Sequence, residues 1–159
     1  MALSRTVILI RDGETCPPEY TCGPQGPPLT PASREAVGEL LARERLLRGI
    51  TGGEVATSEE LCSQQTAKRL GGVVIPNPAL NGLKMDMSAE DVAAMLWAGE
   101  APEVLIAHGQ DVLANPPEQR YWVVPQWRAA SILVAQAQQS GQPAGDVLLP
   151  PLAVREIRL

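Results

Sequence analysis

Phenylalanine is absent from this 159-residue chain, and histidine occurs once. A single histidine excludes a multi-histidine metal site and any mechanism that needs two imidazoles. Basic residues are outnumbered, 13 Lys and Arg against 18 Asp and Glu, for a net charge of −5. That is the wrong sign for a protein whose affinity comes from neutralising phosphates, so no nucleic-acid partner is expected. No apolar stretch approaches the roughly 20 residues that span a bilayer, and no membrane role is expected. The opening residues run into a short apolar segment without the longer apolar core or small-residue cleavage site of a secretory signal, which makes a cytoplasmic location the expectation. The three cysteines are Cys16, Cys22 and Cys62, with no C-x-x-C spacing, so neither a disulfide framework nor a zinc ribbon is indicated. Cys16 and Cys22 share a loop where oxidation would pair them, but free thiols are expected. No cofactor and no metal are expected.

What is present fits one domain over residues 1–159. Apolar residues make up 45% of the chain and charged residues 19%, a globular composition able to bury a core. Fourteen glycines and 15 prolines call for sharply turned loops. Thr6-Val7-Ile8-Leu9-Ile10 is a β-branched apolar run, read as a strand buried on both faces. A loop rich in turn formers follows through Pro31, then a helix over residues 33–48 with Gly49 as its stop. Val55-Ala56-Thr57 reads as a strand. Ser58 is the expected cap of a helix reaching about Leu70. Val73-Val74-Ile75 is a further strand stopped by Pro76, and Ser88 caps a helix over Ala89–Trp97. Glu103-Val104-Leu105-Ile106-Ala107 repeats the opening pattern and is read as a strand ending at His108-Gly109. The apolar runs at Tyr121–Val124, 131–135 and 147–149 read as edge strands and connections. This alternation predicts an α/β fold, three layers α/β/α around a mostly parallel sheet, with ligands bound at the carboxyl ends of the strands.

On this reading Arg11, Asp12, Gly13 and Glu14 crowd the mouth of one strand and His108 the mouth of another. Two interpretations stand side by side. Arg11 pairs with Asp12 or Glu14 as an ordinary surface ion pair, with His108 a loop residue before a glycine required by the backbone. Alternatively, the four ionisable groups converge on a ligand. A carboxylate beside a guanidinium favours its charged form, which suits a base or a cation ligand.

Ile8-Leu9-Ile10-Arg11-Asp12-Gly13-Glu14-Thr15 resembles the R-H-G-E-T signature of the histidine phosphatase superfamily, the phosphoglycerate mutase-like proteins. Gly26 and Leu29-Thr30 look like the segment that follows it. Ser58-Glu59-Glu60-Leu61-Cys62-Ser63-Gln64-Gln65-Thr66-Ala67 is similar to the family's S-D-L-x-R-A-x-Q-T-A, and Val104-Leu105-Ile106-Ala107-His108-Gly109 to its apolar strand ending in H-G. The segments come in family order over most of residues 5–110. The resemblance implies a phosphoglycerate mutase-like fold and a pocket in which the first histidine becomes phosphohistidine. Two arginines and the second histidine would cradle the phosphoryl oxygens, and a carboxylate would donate the proton.

Carried over residue by residue, Arg11 and His108 are kept. Asp12 stands at the nucleophile, Cys62 at the second arginine, and Gly82 where the family often has its acid. His to Asp adds up to one negative charge and Arg to Cys removes a positive one, a poor setting for a phosphate dianion. The sequence therefore predicts no phosphohistidine chemistry. One reading is a pocket repurposed for acid/base chemistry on a small molecule, with Asp12, His108 and Cys62 as catalytic groups and Arg11, Gly13 and Glu14 binding the substrate. There Cys62 would become thiolate beside the imidazole. The other is an inactive pseudoenzyme that binds or scaffolds. Residual phosphatase or phosphate-binding activity is a third alternative, and a homo-oligomer is compatible with all. Trp97, Trp122 and Trp127 are expected mainly as core filling. Arg120 and Arg128 are candidates to replace the lost arginine or to make exposed ion pairs. Asp86, Glu90 and Asp91 are read as helix-start acids rather than a cation site.

Overall fold

A computed structural model describes residues 4–20, 23–143 and 145–159. Its elements run β1 (Thr6–Arg11), α1 (Pro31–Arg43), β2 (Glu54–Thr57), α2 (Leu61–Arg69), β3 (Val73–Pro76), α3 (Ala89–Trp97), α4 (Glu103–Ala114), β4 (Tyr121–Val124), α5 (Gln126–Gln139) and β5 (Val154–Arg158). The sheet order is β3-β2-β4-β1-β5. The first four of these strands are parallel and β5 is antiparallel to β1.

The pleat of β1 explains the layering. Successive side chains point to opposite faces. Ile8 and Ile10 pack with Val37 and Leu40 of α1 and Ala67 of α2, while Val7 and Leu9 pack with Val112 of α4 and with Ala129 and Ile132 of α5. Among the described residues this is the expected three-layer α/β/α arrangement. A third apolar cluster joins Val92 of α3 to Leu105, Ala130, Val134 and Val147. No helix is long and apolar enough to cross a membrane among the described residues.

Local signals place several elements as expected. The Thr30 hydroxyl accepts from Ser33 N, with Pro31 in the first turn of α1, and the Ser88 hydroxyl accepts from Asp91 N at the start of α3. The first helix is shorter than expected. It ends at Arg43, a 3-10 turn follows at Arg45–Leu47, and Gly49 has φ of 91°. Ser58 does not immediately precede α2. The cap position is Glu60, with no side-chain cap bond, and Ser58 Oγ instead accepts from Glu60 N at 3.3 Å.

Residues 103–107 are the main correction: they open α4 instead of forming a strand. The apolar run is short enough to read as either element, and its continuation decides. Leu105, Gly109 and Val112 are buried at separations of four and three, the helical period. Gly109 is the point of closest approach to α5, where an added Cβ would lie 1.9 Å from Ser131 O. Its lack of a side chain serves helix packing and not a strand-end turn. The strand next to β1 is β4, fully buried along its length, where an edge strand was expected. Residues 131–135 belong to α5, and residues 147–149 form no strand, although Val147 and Leu149 are buried.

Candidate functional site

The carboxyl ends of β1 and β4 and the first turn of α2 meet at one cleft of about 740 Å³, lined by Arg11, Asp12, Glu14, Cys62, Gly82 and Gln126, with Leu83, Pro125, Trp127 and Pro151 as apolar walls. Its centre is Asp12. The Asp12 amide donates to Val124 O at 3.0 Å, extending the β1/β4 ladder by one residue and setting the side chain against the start of α2. The residue is only 3% exposed.

Asp12 Oδ2 accepts two hydrogen bonds from the first turn of α2, from Ser63 Oγ at 2.9 Å and Cys62 Sγ at 3.0 Å. Ser63 Oγ in turn accepts from Ser58 Oγ at 2.6 Å. Asp12 Oδ1 lies 3.7 Å from Arg11 Nε, beyond hydrogen-bond range, and carries no hydrogen bond among the described residues. Donors, a guanidinium and a helix N-terminus all favour the carboxylate, yet burial outweighs them. Asp12 is pushed up to about 6 by burial, partly countered by the Cys62 thiol, Arg11 and the Ser63 hydroxyl, while the Glu60 charge pushes the same way as burial. Cys62 moves the same way. Burial raises its thiol, and the Asp12 charge and hydrogen bond raise it further. At neutral pH Cys62 is therefore a protonated donor, unlike the thiolate expected of it. Reactive cysteines sit in electropositive settings, and this one faces a carboxylate.

The segment resembling Q-T-A braces this arrangement. Gln65 Oε1 accepts from Leu29 N at 2.8 Å. Thr66 Oγ1 accepts from Gly13 N at 3.2 Å and donates to Cys62 O at 2.7 Å. The loop after β1 folds back on itself, with Thr30 N donating to Glu14 O and Cys16 N to Pro28 O. Gly82 donates from its amide to Glu60 Oε1 at 2.8 Å. A Cβ at this position would meet that same oxygen at 2.8 Å, so the missing acid goes with a carboxylate from the start of α2 closing over the glycine.

The structure thus brings Arg11, Asp12, Gly13, Glu14 and Cys62 to one cleft. It does not bring His108. That residue lies on α4, and it is absent from the cleft lining. The strand whose end opens beside Asp12 is β4. Pro125-Gln126 thus follow the strand beside β1, where His108-Gly109 was expected, and Gln126 and Trp127 line the cleft. A fully apolar Tyr121–Val124 run followed directly by a helix was the signal that could have found them.

The remaining candidates separate. Arg128 is 7% exposed, so it is no surface ion pair. Its Nε donates to Asn81 O at 2.7 Å and its Nη1 to His108 O at 3.4 Å, which ties the loop before Leu83 to α4. Burial lowers its pKa against the charges of Glu60 and Asp111. Arg120 lies over the Tyr121 ring, 5.8 Å from its centroid. Of the tryptophans, Trp122 is in the core, Trp127 is in the cleft wall, and Trp97 is 94% exposed. Glu90 and Asp91 are first-turn acids of α3, and no group of three metal-ligating side chains occurs among the described residues. Cys16 is free, with Sγ donating to Leu29 O at 3.7 Å, while Cys22 lies outside the described residues. A second cleft of about 740 Å³, lined by Arg34, Lys68 and Arg69 among others, holds none of the expected site residues.

No family model matches the sequence, and no curated protein matches it significantly. Solved structures do share its fold. A phosphoserine phosphatase from Entamoeba histolytica, solved with 3-phosphoglyceric acid, superposes with a TM-score of 0.64 at 14% identity, covering 95% of this chain and 89% of that one. TTHB049 from Thermus thermophilus gives 0.59 at 16% identity, covering 96% and 92%. Rv3214 from Mycobacterium tuberculosis gives 0.56 at 15% identity, covering 97% and 94%. The chain has the fold of phosphoglycerate mutase-like histidine phosphatases.

Proposed function

We propose that this chain uses the histidine phosphatase fold as a small-molecule pocket that forms no phosphohistidine. The observation that carries this reading is the setting of Asp12: a buried carboxylate at the nucleophile's place, its Oδ2 occupied by Ser63 and Cys62. A carboxylate so held offers a phosphoryl group no imidazole nitrogen.

The charges support the same reading. Two unit charges about 4 Å apart interact by roughly 4 kcal/mol at an effective dielectric of 20. Each unit of positive charge removed can therefore cost a phosphate up to about a thousandfold in affinity. Asp12 and Cys62 stand where the resemblance places a histidine and an arginine, the kept His108 is absent from the cleft lining, and Arg11 is the cation of that set that lines the cleft. The pseudoenzyme reading gains accordingly over the two-group acid/base reading, because His108 is absent from the cleft lining.

A narrower catalytic reading keeps one specific support. Asp12 is raised to about 6, and among the described residues Oδ1 accepts no hydrogen bond, which suits a single general base working near neutral pH on an unphosphorylated ligand. Incubation with 4-nitrophenyl phosphate between pH 5 and pH 8 tests the main proposal. The expected release is no faster than with heat-denatured protein. Release above that background, abolished in Asp12→Asn, would overturn it.

A further inference from the structure

The cleft holds opposite charges in close order. Arg11, Asp12 and Glu14 all line it, together with Gln126, Trp127, Leu83, Pro125 and Pro151. The Arg11–Asp12 contact, at 3.7 Å, is longer than a hydrogen bond. The Arg11 side chain is 17% exposed, and among the described residues its guanidinium donates no hydrogen bond. Both ends of this pair thus keep unused hydrogen-bonding capacity. Leaving such groups unpaired is costly, and a ligand that supplies the missing partners recovers that cost.

Resting on the reading of the cleft as a non-phosphatase pocket, we infer that it takes a small zwitterion of the α-amino-acid type. The ligand carboxylate meets the Arg11 guanidinium, the ammonium meets Asp12 Oδ1 and the Glu14 carboxylate, and an apolar or aromatic body lies against Trp127 and Leu83. A guanidinium presents a planar fork of donors suited to a carboxylate. An ammonium presents donors only, which two acceptor carboxylates satisfy. The indole wall suits an aromatic ring, since offset or edge-to-face pairs add to plain burial. With one cation and two carboxylates, the cleft is net negative when all three are ionised. A zwitterion meets that field at both poles, whereas a phosphate dianion meets Arg11 alone and is repelled by Asp12 and Glu14.

Isothermal titration of the full chain with L-phenylalanine, L-phenylalaninamide, N-acetyl-L-phenylalanine and inorganic phosphate tests this. The amide lacks the carboxylate and the acetyl derivative lacks the ammonium. The expected result is binding of L-phenylalanine, with each capped analogue and phosphate at least tenfold weaker. Arg11→Gln should remove the preference over the amide. Glu14→Gln, at an exposed position, should weaken L-phenylalanine while N-acetyl-L-phenylalanine, an anion that Glu14 repels, binds no more weakly than before. No heat with L-phenylalanine, equal binding of a capped analogue, or phosphate binding as tightly as the amino acid would overturn the inference. Hydrolysis of 4-nitrophenyl phosphate strikes the underlying reading instead, so the two failures are distinguishable.

Discussion

Asp12-Gly13 and His108-Gly109 are alike in sequence, each a polar residue and a glycine after an apolar run, and opposite in setting. At Gly13 an added Cβ would meet Leu29 Cδ2 at 3.1 Å and the Ser33 side chain at 3.2 Å, all side-chain atoms. At Gly109 it would meet the backbone of α5, at 1.9 Å from Ser131 O and 2.6 Å from Ser131 C. The first glycine lets a loop turn beneath a cleft, and the second lets two helices touch. A glycine after an apolar run thus marks a close approach without telling which element makes it. The residues beyond the glycine decide: a loop of turn formers after Gly13, and Val112 near one helical turn beyond Gly109.

The largest test of that contrast is steric. Gly109→Ala forces α4 and α5 apart and should cost about 3 kcal/mol, the upper part of the usual range for overpacking. That lowers the melting temperature by roughly 6–12 °C in a domain of this size. Gly13→Ala meets side-chain atoms at 3.1–3.2 Å, Ser33 Cβ among them, which need give by only a few tenths of an ångström, and should cost about 1 kcal/mol. Thermal unfolding followed by circular dichroism compares the two, and a larger loss at Gly13 would reverse the assignment.

The second test is electrostatic. Asp12 rises from 3.8 to about 6 on folding, so between those values the folded chain holds a proton that the unfolded chain has released. Its contribution to stability is fully present below pH 3.8 and is lost as pH rises through 6, a change on the order of 3 kcal/mol. Asp12→Asn lacks this term. Urea unfolding at pH 4 and pH 8 should therefore show the variant gaining on the parent at the higher pH. An unchanged difference between the two proteins would mean that Asp12 is not held as described.

The smallest effect is expected at the other dipeptide. His108 contributes its backbone carbonyl to Arg128, and its side chain makes no hydrogen bond among the described residues. His108→Ala should shift stability by less than about 0.5 kcal/mol and leave the titration with L-phenylalanine unchanged. A loss of binding would place the imidazole in the cleft after all.

Most of the first half of the fold was legible because its signals are local. β1 is a continuous β-branched run, Ser88 caps its helix, and Pro76 closes β3. The second half depends on contacts between distant segments. Residues 103–107 have the composition of a strand, and only their packing against α5 settles them as helix. β4 has just four residues before Pro125, which reads as an edge, although its neighbours β1 and β2 bury it on both sides. β5 carries Arg155, Glu156 and Arg158, and among its residues only Ile157 is fully withdrawn from solvent, so nothing in its pattern announces a strand. The cleft divides in the same way. Arg11, Asp12, Gly13, Glu14 and Cys62 lie on elements read correctly. Gln126, Trp127 and the Ser63 donor come from the misread strand end or from a helix face where serine carries no distinctive signal.

The three tryptophans give the molecule a built-in optical readout. With phenylalanine absent and only two tyrosines, near-ultraviolet emission belongs almost wholly to the indoles, and these sample three media: Trp122 in the dry interior, Trp127 in the cleft wall and Trp97 in open water. A dissolved quencher reaches Trp97 first, a ligand in the cleft shields Trp127, and only unfolding exposes Trp122. Surface access, occupancy and global integrity are therefore reported by separate chromophores in the native, unlabelled chain.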